Sequence, residues 1–160
     1  MASLPASSIV HVLLLEVVSD TEAATFTVTN KCEYTAPNTL AEFGLNEYMN
    51  LNFFDISLIW GYNLPMSFLP TPVSLGCPKG GPWCLTMIMP QCPVELRTTG
   101  GWNNACPTFR KDRYCCTGST KDNCGPIDYS RFFKGQCSDA YNYPKDDATS
   151  TYTYPSDTNY

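Results

Sequence analysis

Nine cysteines constrain this 160-residue chain more than any other feature, because all but Cys32 lie between Cys77 and Cys137. Such a dense cluster is typical of domains that are held together by disulfides in an oxidising compartment. Zinc ribbons use two C-x-x-C knuckles, whereas the spacings here are wider and Cys115 is adjacent to Cys116. Disulfides are therefore favoured over a metal site, and no metal or other cofactor is expected. The odd count leaves at least one thiol without an intramolecular partner.

The remaining composition predicts a folded chain made mainly of strands and loops. Apolar residues make up 43% of the sequence and charged residues 16%, which excludes the disordered class. Thirteen prolines and ten glycines predict short elements and many turns. The net charge of −5 and the scattered basic residues argue against nucleic acid as a partner, since phosphate binding needs clustered lysine and arginine.

The first 23 residues are interpreted as a signal peptide. A short apolar run at 9–18 precedes the small residues around Ala23, although His11 and Glu16 interrupt it. A buried strand or helix of the mature fold is the alternative. The run is too short for a membrane-spanning helix, so a soluble secreted product is expected. Cleavage after Ala23 would remove the only histidine, which leaves carboxylates as the groups available for catalysis.

Alternation of β-branched or aromatic residues with polar ones predicts the strands. They are expected at 25–30, 39–46, 51–60 and 66–69, with an edge strand at 149–154. Residues 128–134 are expected to form a short helix, with Asp128 as its cap and Gly135 as its stop. Residues 76–125 show little periodicity, so their order is expected to come from disulfides.

Several segments, in order along the chain, resemble thaumatin-like proteins of the osmotin type, the fifth class of plant pathogenesis-related proteins. They are ATFTVTNKCEY (24–34), PNTLAE (37–42), FDIS (54–57), YCCT (114–117), CGP (124–126), SRFFK (130–134) and DAY (139–141). The resemblance runs from Ala24 to Tyr160. It implies a β-sandwich core, a disulfide-rich loop domain and a small β-hairpin domain.

The resemblance also implies that the sandwich is incomplete. Family members have several dozen residues between the segments that Thr35 and Ala36 join directly here, either through a real deletion or through an omitted stretch of coding sequence. The chain also stops before the last strand and cysteine of the family. The expected organisation is a signal peptide at 1–23, a partial sandwich at 24–75, a disulfide-rich loop domain with a short helix at 76–140, and a returning strand at 141–160.

The resemblance suggests three disulfides, which are Cys84–Cys137, Cys106–Cys115 and Cys116–Cys124. It leaves Cys32, Cys77 and Cys92 unpaired. The partner of Cys32 would lie in the missing carboxyl terminus, and Tyr154 and Trp102 occupy the positions of the partners of Cys77 and Cys92.

Family members carry acidic side chains in a cleft between the sandwich and the loop domain. The matching positions are Glu42, Asp55 and either Asp146 or Asp147, whereas Trp60 replaces another cleft acid. A pair of carboxylates can cleave a glycosidic bond, with one as the acid and the other activating water or stabilising positive charge. Without the resemblance, Glu42 and Asp55 would be interpreted as solvated strand residues. Trp60 is interpreted as a packing residue, with a platform for sugar stacking as the alternative.

The expected function is plant defence against fungi, by binding cell-wall β-1,3-glucan or by perturbing the fungal membrane through the acidic cleft. The expected location is extracellular, in the apoplast, with the vacuole as an alternative, and the oligomeric state is left open. A weak endo-β-1,3-glucanase that uses Glu42 and Asp55 is a second interpretation. Binding is preferred to catalysis, because one cleft acid is replaced and the family's cleft arginine lies in the missing block. A degenerate copy without activity is the third.

Overall fold

The computed structural model of the chain describes residues 37–70, 80–85, 91–156 and 158. The expected signal peptide, the strand expected at 25–30, and the thiols of Cys32 and Cys77 lie outside these residues. The expectation of a mainly β fold of the thaumatin-like type is confirmed by the several sheets and few helices of the described part.

The largest sheet has three antiparallel strands in the order β1-β2-β8. They are β1 (Leu40–Gly44), β2 (Leu51–Ser57) and β8 (Tyr152–Pro155). In β2 the side chains alternate between buried Phe54 and Ile56 and the partly exposed Phe53 and Asp55. This period of two separates a core face from a more polar face, which carries the candidate site.

Two smaller sheets are formed by strands that lie between β2 and β8 in the sequence. The first has the order β3-β7-β6, and the second pairs β4 with β5. Their strands are β3 (Gly61–Tyr62), β4 (Met66–Ser67), β5 (Trp83–Cys84), β6 (Arg97–Thr98) and β7 (Gly101–Asn103). Three of these strands fall in the region expected to lack periodic structure, where two-residue elements give too few positions for a pattern to show.

Four short α-helices and three 3-10 turns complete the described part. The helices are α1 (Ala105–Phe109), α2 (Asp112–Cys115), α3 (Asp128–Gln136) and α4 (Asp147–Ser150), and the 3-10 turns are Tyr48–Asn50, Val94–Leu96 and Gly118–Thr120.

Helix α3 lies where the sequence predicts a helix, but its cap and its end differ from the prediction. The N-cap is Ile127 rather than Asp128, and the Ser130 hydroxyl accepts from the Ile127 backbone N–H at 2.8 Å. The same hydroxyl donates to the Ile127 carbonyl oxygen at 2.9 Å. The helix also passes through Gly135 and ends at Gln136, because a glycine stops a helix only where the backbone turns left-handed.

The strand expected at 149–154 is wrong at its start. Residues 147–150 form α4, and β8 begins only at Tyr152. The ammonium group of Lys134 donates to the Ser150 hydroxyl at 2.8 Å and to Asp146 Oδ2 at 3.0 Å, which holds this segment in a turn of helix. These contacts outweigh the alternation of residue types at 149–154, which by itself predicts a strand.

One continuous core joins the main sheet to the cysteine-rich region. Its buried members are Ile56, Leu58, Tyr62, Cys84, Cys92, Leu96, Trp102, Phe133, Cys137 and Ala140. The core therefore includes residues on both sides of the expected boundary at 75. The domain boundaries themselves stay predictions.

Three disulfides occur among the described cysteines, and they join the same pairs that the family resemblance suggests: Cys84–Cys137, Cys106–Cys115 and Cys116–Cys124. Among the described cysteines, Cys92 has a free thiol, which is buried in the same core cluster as Trp102. Trp102, which the resemblance sets at the position of the partner of Cys92, thus lies in the same core as Cys92.

Candidate functional site

Glu42 and Asp55 lie directly opposite each other in the register of β1 and β2. Opposite residues of an antiparallel pair share one face of a sheet, with Cβ atoms about 4.5–5.5 Å apart. Because Phe54 and Ile56 turn towards the core, Asp55 and Glu42 occupy the other face. Strand register therefore brings together two carboxylates that are thirteen residues apart in the sequence.

Asp55 is the more perturbed of the two acids. Its Oδ1 atom is buried and has no hydrogen-bond partner in the described part of the chain. Burial raises the pKa of Asp55 to about 7, and the negative charges of Glu42 and Asp147 add to the effect. Asp55 is thus largely protonated in mildly acidic solution, where an ordinary aspartate is ionised.

Asp147, in the first turn of α4, is the third carboxylate of this face. The Tyr141 hydroxyl donates to Asp147 Oδ1 at 2.9 Å and also bonds to the hydroxyl of Thr151. Tyr141 is fixed against β2 through its own backbone, since its N–H donates to the Ile56 oxygen and its oxygen accepts from the Leu58 N–H, both at 2.8 Å. One tyrosine therefore connects the sheet to the third acid.

Tyr141 is a neutral hydrogen-bonding group at ordinary pH. Burial raises its pKa to about 12, with the charges of Asp147 and Asp55 adding to the rise while the hydrogen bond from Thr151 opposes it. The parallel bridge between Ser57 and Tyr141 sets the backbone of Tyr141 beside β2, and its hydroxyl bonds to Asp147. We define the carboxylate face as Glu42, Asp55, Asp147, Tyr141 and Thr151.

Asp146 is separated from the carboxylate face by its partners. It is buried and forms an ion pair with Lys134 at 3.0 Å. The Asn142 backbone N–H and the Thr149 hydroxyl donate to its two oxygens, at 3.2 and 2.9 Å. Of the two adjacent acids that the sequence could not tell apart, Asp147 joins Asp55, and Asp146 anchors α4 to α3.

Trp60 lies in the bend between β2 and β3, where 58% of its surface is exposed. That exposure removes it from the core, contrary to the packing interpretation. An exposed indole ring is a surface on which a sugar ring can stack.

Sequence reasoning missed Tyr141 and Thr151. Tyr141 belongs to one of the segments that carry the family resemblance, yet no periodic pattern assigns it to a site. The signal appears only in three dimensions, where a parallel bridge sets Tyr141 beside Ser57 of β2 and its hydroxyl donates to Asp147.

The carboxylate face offers hydrogen-bond acceptors, a phenol and a hydroxyl on an otherwise regular sheet. Such groups match the hydroxyls of a carbohydrate, and a protonated Asp55 beside a second carboxylate also fits acid–base chemistry. Within the described ranges, no group of three or more histidine, cysteine or acidic residues is arranged to hold a metal ion. No helix in those ranges is long and apolar enough to cross a membrane.

The fold and the carboxylate face define a class of mainly β, disulfide-bonded proteins with acidic side chains on one face of the main sheet. The sequence model described as the thaumatin family matches residues 20–160. The chain therefore belongs to the thaumatin family.

Named relatives agree with this assignment. Zeamatin from Zea mays is 62% identical over 125 residues, which cover 78% of this chain and 54% of zeamatin. Pathogenesis-related thaumatin-like protein 3.2 from Cryptomeria japonica is 56% identical over 78% of this chain and 53% of that protein. Osmotin-like protein OSML15 from Solanum commersonii is 54% identical over 73% of this chain and 45% of its own length. The chain thus spans about half the length of these relatives.

Proposed function

We propose that this chain is a secreted defence protein whose carboxylate face binds the β-1,3-glucan of fungal cell walls, with perturbation of the fungal membrane as a second mode of action. Membership of the thaumatin family and the relative named as pathogenesis-related support the defence role. The observation that carries the binding site is the opposed pair of Glu42 and Asp55, with Asp147 beside it.

Binding would rest on hydrogen bonds to sugar hydroxyls. The carboxylate oxygens of Glu42 and Asp147 accept them, and a protonated Asp55 both accepts and donates. Since glucan is uncharged, a face with one acid neutralised loses less hydration on binding than one with three charges. The raised pKa of Asp55 therefore favours binding in acidic medium, and exposed Trp60 is available for stacking.

The experiment measures retention of the protein on insoluble β-1,3-glucan. Glu42→Gln and Asp147→Asn are each expected to weaken binding about tenfold, because each removes a charge-assisted hydrogen bond. Asp128→Asn is the matched control, since Asp128 is an exposed acid on α3 that pairs only with neighbouring Arg131 among the described residues. Equal losses in all three variants, or no retention of the wild type, would contradict the proposal.

A weak endo-β-1,3-glucanase is the second candidate, favoured by a protonated Asp55 beside Glu42. Asp55 would donate its proton to the leaving glycosidic oxygen, and ionised Glu42 would activate water or stabilise the developing positive charge. Release of reducing sugar that both Glu42→Gln and Asp55→Asn abolish would establish the enzyme. Retention on glucan without such release would favour the binding protein, whereas failure to obtain soluble secreted protein would favour a degenerate copy.

A further inference from the structure

The turn between β1 and β2, which we call the hairpin tip (residues 45–50), presents large apolar side chains to solvent. Tyr48 is 72% exposed and Met49 is 74% exposed, with Leu45 beside them at 43%. Single exposed apolar residues are common on protein surfaces, but three within five positions form a patch.

The tip has a fixed backbone. Buried Asn52 accepts from the Asn46 N–H at 2.9 Å and donates to the backbone oxygens of Pro155 and Ser156 at 3.4 and 3.2 Å. The Ser156 N–H in turn donates to the Asn50 oxygen at 3.1 Å. The tip is therefore tied to the far strand of the sheet at both of its ends.

Three residues of the tip have a left-handed backbone, with φ of 49° at Asn46, 59° at Met49 and 55° at Asn50. Asparagine tolerates this conformation, but methionine rarely adopts it. The Asn50 N–H donates to the Glu47 oxygen at 3.2 Å and the Glu47 N–H donates to the Leu51 oxygen at 2.9 Å, which closes the turn around Met49. Strain of this kind persists where the surrounding structure enforces it, which is common at functional surfaces.

Charge is kept away from the apex. Glu47 is the only charged residue in the tip, and no lysine or arginine occurs between 42 and 50. The Glu47 carboxylate lies back over Gly44, where it occupies the space that a Cβ atom would need. Tyr48 and Met49 thus form an uncharged apex that carries one phenolic hydroxyl.

We propose that the hairpin tip is a lipid-contact element that inserts Tyr48 and Met49 shallowly into the interface of an electrically neutral bilayer. The three exposed side chains offer on the order of 300–400 Å², against about 800 Å² per partner in a stable protein interface. Tyrosine favours the boundary between water and lipid. The net charge of −5 and the absence of lysine and arginine from residues 42–50 disfavour an anionic membrane.

This inference rests on the membrane part of the proposed function, and it assigns that contact to the tip rather than to the carboxylate face. Glucan binding at the carboxylate face can succeed or fail independently, because Glu42 and Asp55 lie on the strands rather than in the tip.

The test is sedimentation of the full chain with phosphatidylcholine vesicles. The double variant Tyr48→Ser/Met49→Ser is expected to lower the vesicle-bound fraction about tenfold, because it removes two apolar side chains from the contact. Val94→Ser is the matched control, since Val94 is also 74% exposed but lies in the 3-10 turn Val94–Leu96. Tyr48→Trp is expected to keep binding, with a blue shift of its fluorescence when vesicles are added.

Three outcomes would overturn the proposal: no wild-type binding to these vesicles, stronger binding to phosphatidylserine vesicles, or equal losses in the double variant and in Val94→Ser. Self-association is tested in parallel by size-exclusion chromatography. A wild-type dimer that the double variant abolishes, without any vesicle binding, would reassign the tip to contact between copies of this chain. Glucan retention of the double variant is expected to be unchanged, which separates this test from that of the carboxylate face.

Discussion

At the scale of single residues, Asp55 has the least ordinary environment of the carboxylate face. Its buried Oδ1 lacks a partner among the described residues, and two further acids lie close to it. Asp146 is more buried than Asp55, but it has an ion pair and two hydrogen bonds. The partners of Asp146 therefore compensate its burial, whereas Asp55 Oδ1 has none among the described residues.

Asp55 predicts a dependence of stability on pH. Its folded pKa of about 7 lies above the ordinary value of 3.8, so the folded state binds more protons between these limits. Stability from this group is full below about pH 4 and is lost as pH rises through 7. Asp55→Asn should remove this loss, and above pH 7 it should raise the free energy of unfolding relative to wild type by about 1–2 kcal/mol, after allowing for solvent screening.

Urea unfolding at pH 5 and pH 8 measures this effect. Asp128→Asn serves as the control, because its exposed carboxylate should leave the difference between the two pH values unchanged. An Asp55→Asn variant that loses stability at pH 8 to the same extent as the wild type would contradict the raised pKa.

At the scale of elements, disulfides and buried polar contacts hold short segments that could not fold alone. Helix α3 has nine residues, fewer than an isolated helix needs in water. It contributes Phe133 to the core, and the Cys84–Cys137 disulfide joins its C-cap residue to β5. The position of α3 therefore depends on a covalent bond across the core.

The disulfides should differ in their contribution to stability according to loop length. Cys84–Cys137 spans 53 residues and Cys116–Cys124 spans 8. By loop entropy, replacing both cysteines by alanine should lower the free energy of unfolding by about 4 kcal/mol for the long bridge and about 2.5 kcal/mol for the short one. Chemical denaturation of the two double variants measures the difference, and an equal loss would contradict the loop-entropy explanation.

At the scale of the whole molecule, the odd number of cysteines leaves at least one thiol without an intramolecular disulfide partner. The three disulfides use six of the nine cysteines, and Cys92 is free. Burial raises the pKa of the Cys92 thiol to about 11, with the charge of Arg97 opposing and that of Glu95 adding to the rise. Such a thiol reacts slowly, since the thiolate is the reactive form.

Alkylation should therefore give a characteristic pair of results. Under denaturing conditions we expect three free thiols, at Cys32, Cys77 and Cys92. Under native conditions Cys92 should stay unmodified, because its sulfur is buried and protonated. A single free thiol in the denatured protein would contradict the predicted set, and rapid native labelling of Cys92 would contradict its burial.

Much of the fold could be predicted because its signals are local. Strands β1 and β2 lie within segments rich in residues that favour strands, and α3 covers the segment expected to form a helix. Helix α4 could not be predicted, since the contacts of Lys134 with Ser150 and Asp146 cross more than ten residues of sequence. The two-residue strands of the cysteine-rich region could not be predicted either, because two residues show no periodicity and only pairing with another segment defines such a strand.

The sequence by itself determined the class of protein: its cysteine density and spacing, its strand periodicity and its family segments need no coordinates. Tertiary structure decided the composition of the carboxylate face. The β1–β2 register placed Glu42 against Asp55, and the hydrogen bond of Tyr141 selected Asp147 over Asp146. Periodicity is a property of neighbouring residues, whereas a site depends on which distant segments pack together, and that is settled only when the core and its polar contacts form.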